Sequence, residues 1–479
     1  MRKDGSILLP ERQAGVHEEC GIFGEISCEA DELAREVYFG IFALQHRGQE
    51  SAGIAVEYGK NRVAYYKNMG LVSDVFGEQE LQLLPSTKIA IGHVRYSTTG
   101  SSNVVNAQPV VFYGRYGRMA VAHNGNIVNT EEIKNEMLKE GHIFQSSTDS
   151  EVIASLINKY CEGSVEEGII KACRRMVGSY ALVMLADEKL YAVRDPHSIR
   201  PLVMGEKENR IVFASESCAL DAIDARLVRD IKPGELVIVD KDLNIRSIMF
   251  ANENPRPCIF EYVYLARSDS VIDDISVYNA RYECGRRLAK LFKIDADVVA
   301  GVPDSALVSA RGYSEESGIP YVDAISKNRY IGRTFIQPSQ AMRESNVKIK
   351  LNAFKSNIKD KRLILIDDSI VRGTTSRKII QLLKSSGASE VHMLVCSPII
   401  KNPCYFGIDM QTKEQLIGGS LDEEQICKKI GADSLHYVPL DQLIKSCTNG
   451  TEHSFCTGCF DGEYPFDISK YHVDKLGLE

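Results

Sequence analysis

Between residues 20 and 250 short apolar runs alternate with turn residues. The runs Cys20–Ser27, Ser51–Tyr58, Lys88–Tyr96, Arg118–His123, Ser179–Leu185, Leu190–Arg194, Ile211–Ser215 and Glu235–Asp240 have the length and composition of strands. Two helical patterns interrupt them: Asp31–Gln45, and Thr148–Tyr160 followed by Val165–Met176. Strands in bunches, with helices between the bunches, predict stacked α+β layers. The stretch Asn252–Pro257 (NENPRP) reads as a linker by its Pro and Asn content.

From about residue 275 the rhythm changes. Tyr278–Phe292 is a helical pattern, and Asp297–Gly301 a buried strand that ends in a loop. Arg362–Ile366 is a second such strand, followed by the loop Asp367–Gly373, the helix Thr374–Lys384, a stop at Gly387 and the strand Val391–Cys396. Strand, loop, helix and strand in that order predict a parallel βαβ unit. The last stretch, about 440–479, is loop-rich and carries the run CTGC. No internal repeat or low-complexity tract is visible.

A length of 479 residues implies two to four domains. Apolar residues make up 44% and charged residues 25%, so the chain can bury a full core. A net charge of −8 argues against a general nucleic-acid or membrane-surface binder. Ile7-Leu8-Leu9 is too short for a signal h-region of about 7–15 residues, and no apolar run reaches the roughly 18 of a membrane span. The expectation is a cytoplasmic protein with no nucleic-acid or membrane partner. The 13 cysteines are odd in number and dispersed, which excludes a secreted disulfide scaffold.

Leu363-Ile364-Leu365-Ile366-Asp367-Asp368-Ser369-Ile370-Val371-Arg372-Gly373-Thr374-Thr375 is the most specific segment. Four apolar residues make a strand buried on both faces, and two carboxylates sit at its carboxyl end, where open α/β sheets bind ligands. Gly373-Thr374-Thr375 opens a helix whose N–H groups and hydroxyls suit an anion. The segment resembles the phosphoribosyl pyrophosphate (PRPP) signature of type I phosphoribosyltransferases. That resemblance implies Asp367 and Asp368 for ribose and Mg²⁺, and Arg372, Gly373, Thr374 and Thr375 for the 5′-phosphate. Gly301-Val302-Pro303-Asp304-Ser305 resembles the family's pyrophosphate loop, with Asp304 on PRPP and Ser305 near the metal. Lys327, Arg329 and Arg333 flank a glycine, which suits a lid over a polyphosphate; taken alone, they also fit a solvated basic loop.

Cys20-Gly21-Ile22-Phe23-Gly24 on its own reads equally as a buried strand with a core thiol. Its companions are Leu44–Gly53, Gly92–Thr98, His123–Asn126 and Ser147–Glu151. Together they resemble the class II glutamine amidotransferases, which have an N-terminal nucleophile fold. The resemblance implies Cys20 as nucleophile, Asn124 (side chain) and Gly125 (backbone N–H) as oxyanion hole, and Arg95 and Asp149 on the α-carboxylate and ammonium of glutamine. The base in that fold is the nucleophile's own α-amine, so residues 1–19 are expected to be a propeptide. His93 and His46 are expected to be structural.

Cys456-Thr457-Gly458-Cys459 has metal-ligand spacing, which by itself leaves zinc, an iron–sulfur cluster and redox chemistry open. The chain as a whole resembles the propeptide- and cluster-bearing glutamine–PRPP amidotransferases, through Pro257-Cys258, Phe260–Tyr264, Pro403–Asp409 and Phe455–Phe460. In that type Cys258, Cys404, Cys456 and Cys459 ligate a [4Fe–4S] cluster. Cys28, Cys161, Cys173, Cys218, Cys284, Cys396, Cys427 and Cys447 are expected to be ordinary thiols.

The implied architecture is an α+β N-terminal nucleophile domain (an αββα sandwich) at 20–252, then an α/β type I phosphoribosyltransferase domain with a parallel sheet at 253–440, and a cluster-bearing tail at 441–479. The implied reaction joins glutamine hydrolysis to displacement of pyrophosphate from PRPP by ammonia, the committed step of purine synthesis in the family. One Mg²⁺ and one cluster per subunit, inhibition by purine nucleotides, a homotetramer or homodimer, and an ammonia route lined by Tyr96 and Tyr330 are implied with it. Another class II amidotransferase would lack the 363–375 segment. A PRPP-sensing regulator would not need Cys20, Arg95, Asn124 and Asp149 together.

Overall fold

The computed structural model describes residues 20–59, 61–96, 103–328, 351–410, 412–448 and 454–471. These residues form two compact units. The first gathers 20–277 with 403–410 and 454–471; the second gathers 278–328, 351–402 and 412–448.

The first unit is built on two antiparallel sheets. One has seven strands in the order Arg226–Asp230, Val203–Lys207, Arg210–Ala214, Gly21–Asp31, Thr87–Arg95, Ser51–Glu57 and Val63–Met69. The other has six, in the order Ile245–Met249, Glu235–Asp240, Lys189–Arg194, Gly178–Ala186, Gly117–Ile127 and Val110–Gly114. The period-two alternation of a strand assigns the faces. Ile22 and Ile26 point inward with Ile89 and Ile91, against Ala120, Ala122, Val183 and Val237 of the facing sheet. Phe23 points the other way, under Val37 and Ile41 of the helix Leu33–Ala43. The helices Asp149–Tyr160 and Val165–Arg175 bury Ile153, Ile157 and Ile169 against Tyr180, Leu182 and Met184 on the outer face of the six-stranded sheet. The result is the expected αββα sandwich. Gly24 lets the two sheets approach, since a Cβ there would lie 2.3 Å from a Val183 methyl.

The second unit holds a parallel sheet in the order Val298–Gly301, Arg362–Asp367, Glu390–Val395 and Ser434–Tyr437. The helix Thr374–Ser385 follows the second of these strands, so the predicted βαβ unit forms. Leu363, Ile364, Leu365 and Ile366 are all fully buried, as a strand covered on both faces requires. Among the described residues no helix is long and apolar enough to cross a membrane.

Candidate functional site

In the first unit, Cys20 stands immediately before the central strand Gly21–Asp31. Gly21 admits Leu44 and Val94 beside it; a Cβ would meet Val94 at 2.8 Å and Leu44 at 2.9 Å. The Cys20 thiol lies 3.6 Å from the Tyr96 carbonyl oxygen, and the Cys20 carbonyl accepts a hydrogen bond from Arg47 Nε at 3.2 Å. Cys20, Arg95, Tyr96, Gln108, His123, Gly125, Thr148, Asp149 and Ser150 line one cavity.

Each wall has a local cause. Arg95 ends the strand Thr87–Arg95 and is buried. Its Nη1 pairs with Glu50 Oε1 at 3.0 Å, while its carbonyl accepts from the Glu50 N–H at 3.0 Å. Asp149 is the first residue of the helix Asp149–Tyr160, which Thr148 caps through the Glu151 N–H. Burial alone would raise its pKa. His123, 3.7 Å away, the Ile127 N–H at 3.2 Å and the Ser150 hydroxyl at 3.3 Å outweigh burial and hold the carboxyl below its ordinary range. Asp149 is therefore a carboxylate at neutral pH.

Asn124 lies in the strand Gly117–Ile127, fully buried, and neither atom of its side-chain amide has a hydrogen-bond partner. Such orphaned groups call for a reason. Next to it Gly125 takes φ +144°, and a Cβ there would lie 2.1 Å from the Ser179 carbonyl oxygen. His93 gives its Nε2–H to the His123 carbonyl at 3.0 Å, and burial pushes its pKa down to about 3. It is neutral, as suits a structural histidine. His46 bridges the Ala43 carbonyl and Glu216.

Sequence reasoning gave no role to Gln108 and His123, which clasp each other. The His123 N–H donates to Gln108 Oε1 at 2.7 Å, and Gln108 Nε2 donates back to the His123 carbonyl at 3.3 Å. His123 adjoins Asn124 in a quoted motif, which was the available signal; Gln108 had none.

In the second unit, the expected phosphate residues meet at the carboxyl ends of two neighbouring strands. Ser305 donates to an Asp368 carboxylate oxygen. Burial raises the pKa of both Asp367 and Asp368; their mutual repulsion adds to it at Asp367, while hydrogen bonds from Ser305 and Ser369 oppose it at Asp368. Two adjacent buried carboxylates that resist ionisation are a fitting seat for a divalent cation. Gly373, at φ +73°, turns the chain into the helix Thr374–Ser385, with Thr374 and Thr375 exposed in the first turn. Arg372 donates to Gln415 Oε1 at 3.0 Å. Lys327 pairs with Asp304 at 2.5 Å. Arg329, Tyr330, Arg333 and the expected propeptide lie outside the described residues.

Cys258, Cys404, Cys456 and Cys459 all belong to the first unit. Cys258 bridges Cys456 in an isolated β-contact, in which the Cys456 N–H donates to the Pro257 carbonyl at 2.9 Å. Burial raises the pKa of Cys459, and Cys258, Cys404 and Cys456 raise it further; Cys456 is pushed up to about 12 by burial and then by Cys404. The four thiols thus stand within electrostatic reach of one another. Among the described residues no group of three or more His, Cys, Asp or Glu side chains is drawn up at metal-holding geometry.

A profile described as glutamine amidotransferase domain matches residues 93–222, and one described as phosphoribosyl transferase domain matches residues 282–404. The amidophosphoribosyltransferase of Methanocaldococcus jannaschii is 47% identical, over 94% of this chain and 98% of its own. That of Synechococcus elongatus is 48% identical, over 98% and 96%. The solved glutamine PRPP amidotransferase from B. subtilis, complexed with ADP and GMP, is 42% identical and superposes with a TM-score of 0.88, over 94% of this chain and 98% of that one. Relatives at 42–48% identity match the chain over nearly its whole length, and the chain belongs to the amidophosphoribosyltransferase family.

Proposed function

We propose that glutamine is hydrolysed at Cys20 and that the ammonia released displaces pyrophosphate from C1 of PRPP, giving 5-phosphoribosylamine. The observation that carries the glutaminase half is the buried, unsatisfied side-chain amide of Asn124 beside the positive-φ Gly125, whose backbone borders the cavity of Cys20, Arg95 and Asp149.

The Cys20 thiolate attacks the side-chain amide carbon of glutamine. Negative charge develops on the amide oxygen, where Asn124 Nδ2 and the Gly125 N–H stabilise it. Asp149, ionised by its setting, takes the substrate ammonium, and the Arg95 guanidinium takes its α-carboxylate. The tetrahedral adduct collapses to a thioester with loss of ammonia, and water then releases glutamate. The proton of the thiol goes to the α-amine of Cys20, whose unperturbed pKa of about 7.7–8.0 suits a general base. That amine exists only after the bond from Glu19 is cut, so residues 1–19 are a propeptide in this reading. His93 is a poor alternative base, because burial pushes its pKa down to about 3 and it does not line the cavity of Cys20.

In the ribosyl half, Asp367 and Asp368 hold the ribose hydroxyls and, with Ser305, Mg²⁺. Held there, Mg²⁺ would supply charge neutralisation for departing pyrophosphate. The N–H groups and hydroxyls of Gly373, Thr374 and Thr375 bind the 5′-phosphate with Arg372, while Asp304 and Lys327, with Arg329 and Arg333, bound the pyrophosphate. The four thiols at 258, 404, 456 and 459 have the donor chemistry of a [4Fe–4S] cluster, which would cross-link three separate stretches of chain. The B. subtilis relative holds ADP and GMP, which supports purine nucleotides as feedback inhibitors here.

Cys20→Ala tests the scheme. It loses synthesis from glutamine and keeps synthesis from ammonia and PRPP. Loss of both activities in a folded variant contradicts a two-site enzyme.

A further inference from the structure

Behind Cys20 lies a cluster of charge that the chemistry above does not use. Arg47, Arg200, Glu216 and Glu261 are each at most 1% exposed. Glu261 faces both arginines. It accepts from Arg47 Nη1 at 3.1 Å and Nη2 at 2.9 Å, a two-point fork, and from Arg200 Nη1 at 3.3 Å. Glu216 accepts from Arg47 Nη1 at 2.5 Å. Both arginines also donate to backbone carbonyls. Arg47 Nε reaches the Cys20 carbonyl at 3.2 Å; Arg200 Nε and Nη2 reach the Phe406 carbonyl at 3.0 and 2.6 Å.

The Phe406 carbonyl also accepts from the Ser179 hydroxyl at 2.7 Å, and Ser179 Oγ accepts from the Asn126 N–H at 3.1 Å. Asn126 Nδ2 in turn donates to the Tyr405 carbonyl at 2.8 Å. The segment around Phe406 is thereby fastened beside Asn124 and Gly125, as well as to Arg200.

Buried ion pairs are weak stabilisers, because desolvation offsets their attraction, and apolar side chains of similar size often serve stability as well. They do fix geometry, since a forked guanidinium tolerates little displacement. Here what is fixed is the carbonyl of Cys20. Its position sets the backbone rotation about the Cys20 Cα, and so where the thiol and the α-amine point.

We infer that Glu261 is a positioning residue for Cys20: it holds the Arg47 guanidinium on the Cys20 carbonyl and, through Arg200, ties that contact to the Phe406 carbonyl beside the oxyanion site. This rests on the reading of Cys20 as nucleophile. Glu261 touches no substrate in this scheme and acts through the two arginines.

The test uses full-length Glu261→Gln, which keeps size and one acceptor oxygen but removes the charge. Glutamine hydrolysis is measured per site titrated with a covalent glutamine analogue, so that misfolded molecules do not count. The kcat falls roughly 10- to 100-fold, the cost of a displaced reacting group. The KM for glutamine and ammonia-dependent synthesis stay near wild type. An unchanged kcat per titrated site overturns the inference. If Glu261→Gln does not fold, Arg200→Lys decides: it keeps the charge but loses the fork on Phe406, and a wild-type kcat there overturns the inference equally. Cys20→Ala runs alongside. Glutaminase activity surviving in it refutes the nucleophile itself, whereas an inactive Cys20→Ala beside normal Glu261→Gln and Arg200→Lys refutes only the positioning role.

Discussion

Ser305 hydrogen-bonds a carboxylate oxygen of Asp368, so the loops after two adjacent parallel strands are joined at their strand ends. The bond offsets part of the burial that raises the pKa of Asp368 and directs one of its oxygens toward Ser305. Ser305→Ala should therefore weaken use of Mg²⁺ and PRPP more than turnover. The KM for PRPP should rise about 10-fold, near the 1–1.5 kcal/mol of one hydrogen bond. Glutamine hydrolysis without PRPP should not change. Steady-state kinetics with ammonia as nitrogen donor check this.

Asn124→Ala removes one of the two oxyanion donors. The kcat for glutamine hydrolysis should drop about 10²- to 10³-fold with little change in KM, because the donor acts on charge that appears only in the transition state. Ammonia-dependent synthesis should survive. Since the wild-type amide is buried without partners, the variant should lose little or no thermal stability.

Glu25 offers a pH test independent of catalysis. It is fully buried in the strand Gly21–Asp31; burial, then the nearby Glu36, raises its pKa to about 8, against a partial opposing pull from Arg210 at 3.2 Å. A carboxyl that binds its proton more tightly when folded stabilises the fold below its ordinary value near 4.5, and that stabilisation is lost as pH rises toward about 8. Glu25→Gln cannot titrate. Its unfolding midpoint should gain on that of the wild type between pH 5 and pH 8. A gap that stays constant across that range contradicts the assignment.

The four-thiol set predicts composition. Protein purified without oxygen should contain iron and acid-labile sulfide and absorb broadly in the visible. Cys459→Ser should lose that absorption and lower the unfolding midpoint, because a cluster on these thiols would tie three separate stretches of chain. Zinc in place of iron, with no visible absorption, contradicts the cluster.

The eight strands legible from residues 20–250 are all interior strands of the two sheets. Their apolar faces are covered by a second sheet and by helices, so burial writes itself into the sequence. Five strands left no such mark: the four edge strands, Val63–Met69, Val110–Gly114, Arg226–Asp230 and Ile245–Met249, which are largely half-buried or exposed, and the interior strand Val203–Lys207, whose apolar run is only Val203-Met204. At the site, residues with unusual chemistry were legible: Cys20, Arg95, Asp149, and the Asp367–Asp368 pair ahead of Gly373. Residues that work through tertiary contact were not. The Gln108 side chain meets a backbone distant in sequence, and two arginines converge on Glu261 from positions 47 and 200; neither contact is written locally.

One chain cleaves glutamine and transfers the nitrogen to PRPP. The direct measurement is glutamate release with and without PRPP, alongside consumption of PRPP. PRPP should speed glutamine hydrolysis, and one PRPP should be consumed for each glutamate formed. Hydrolysis indifferent to PRPP, with PRPP left intact, would contradict it.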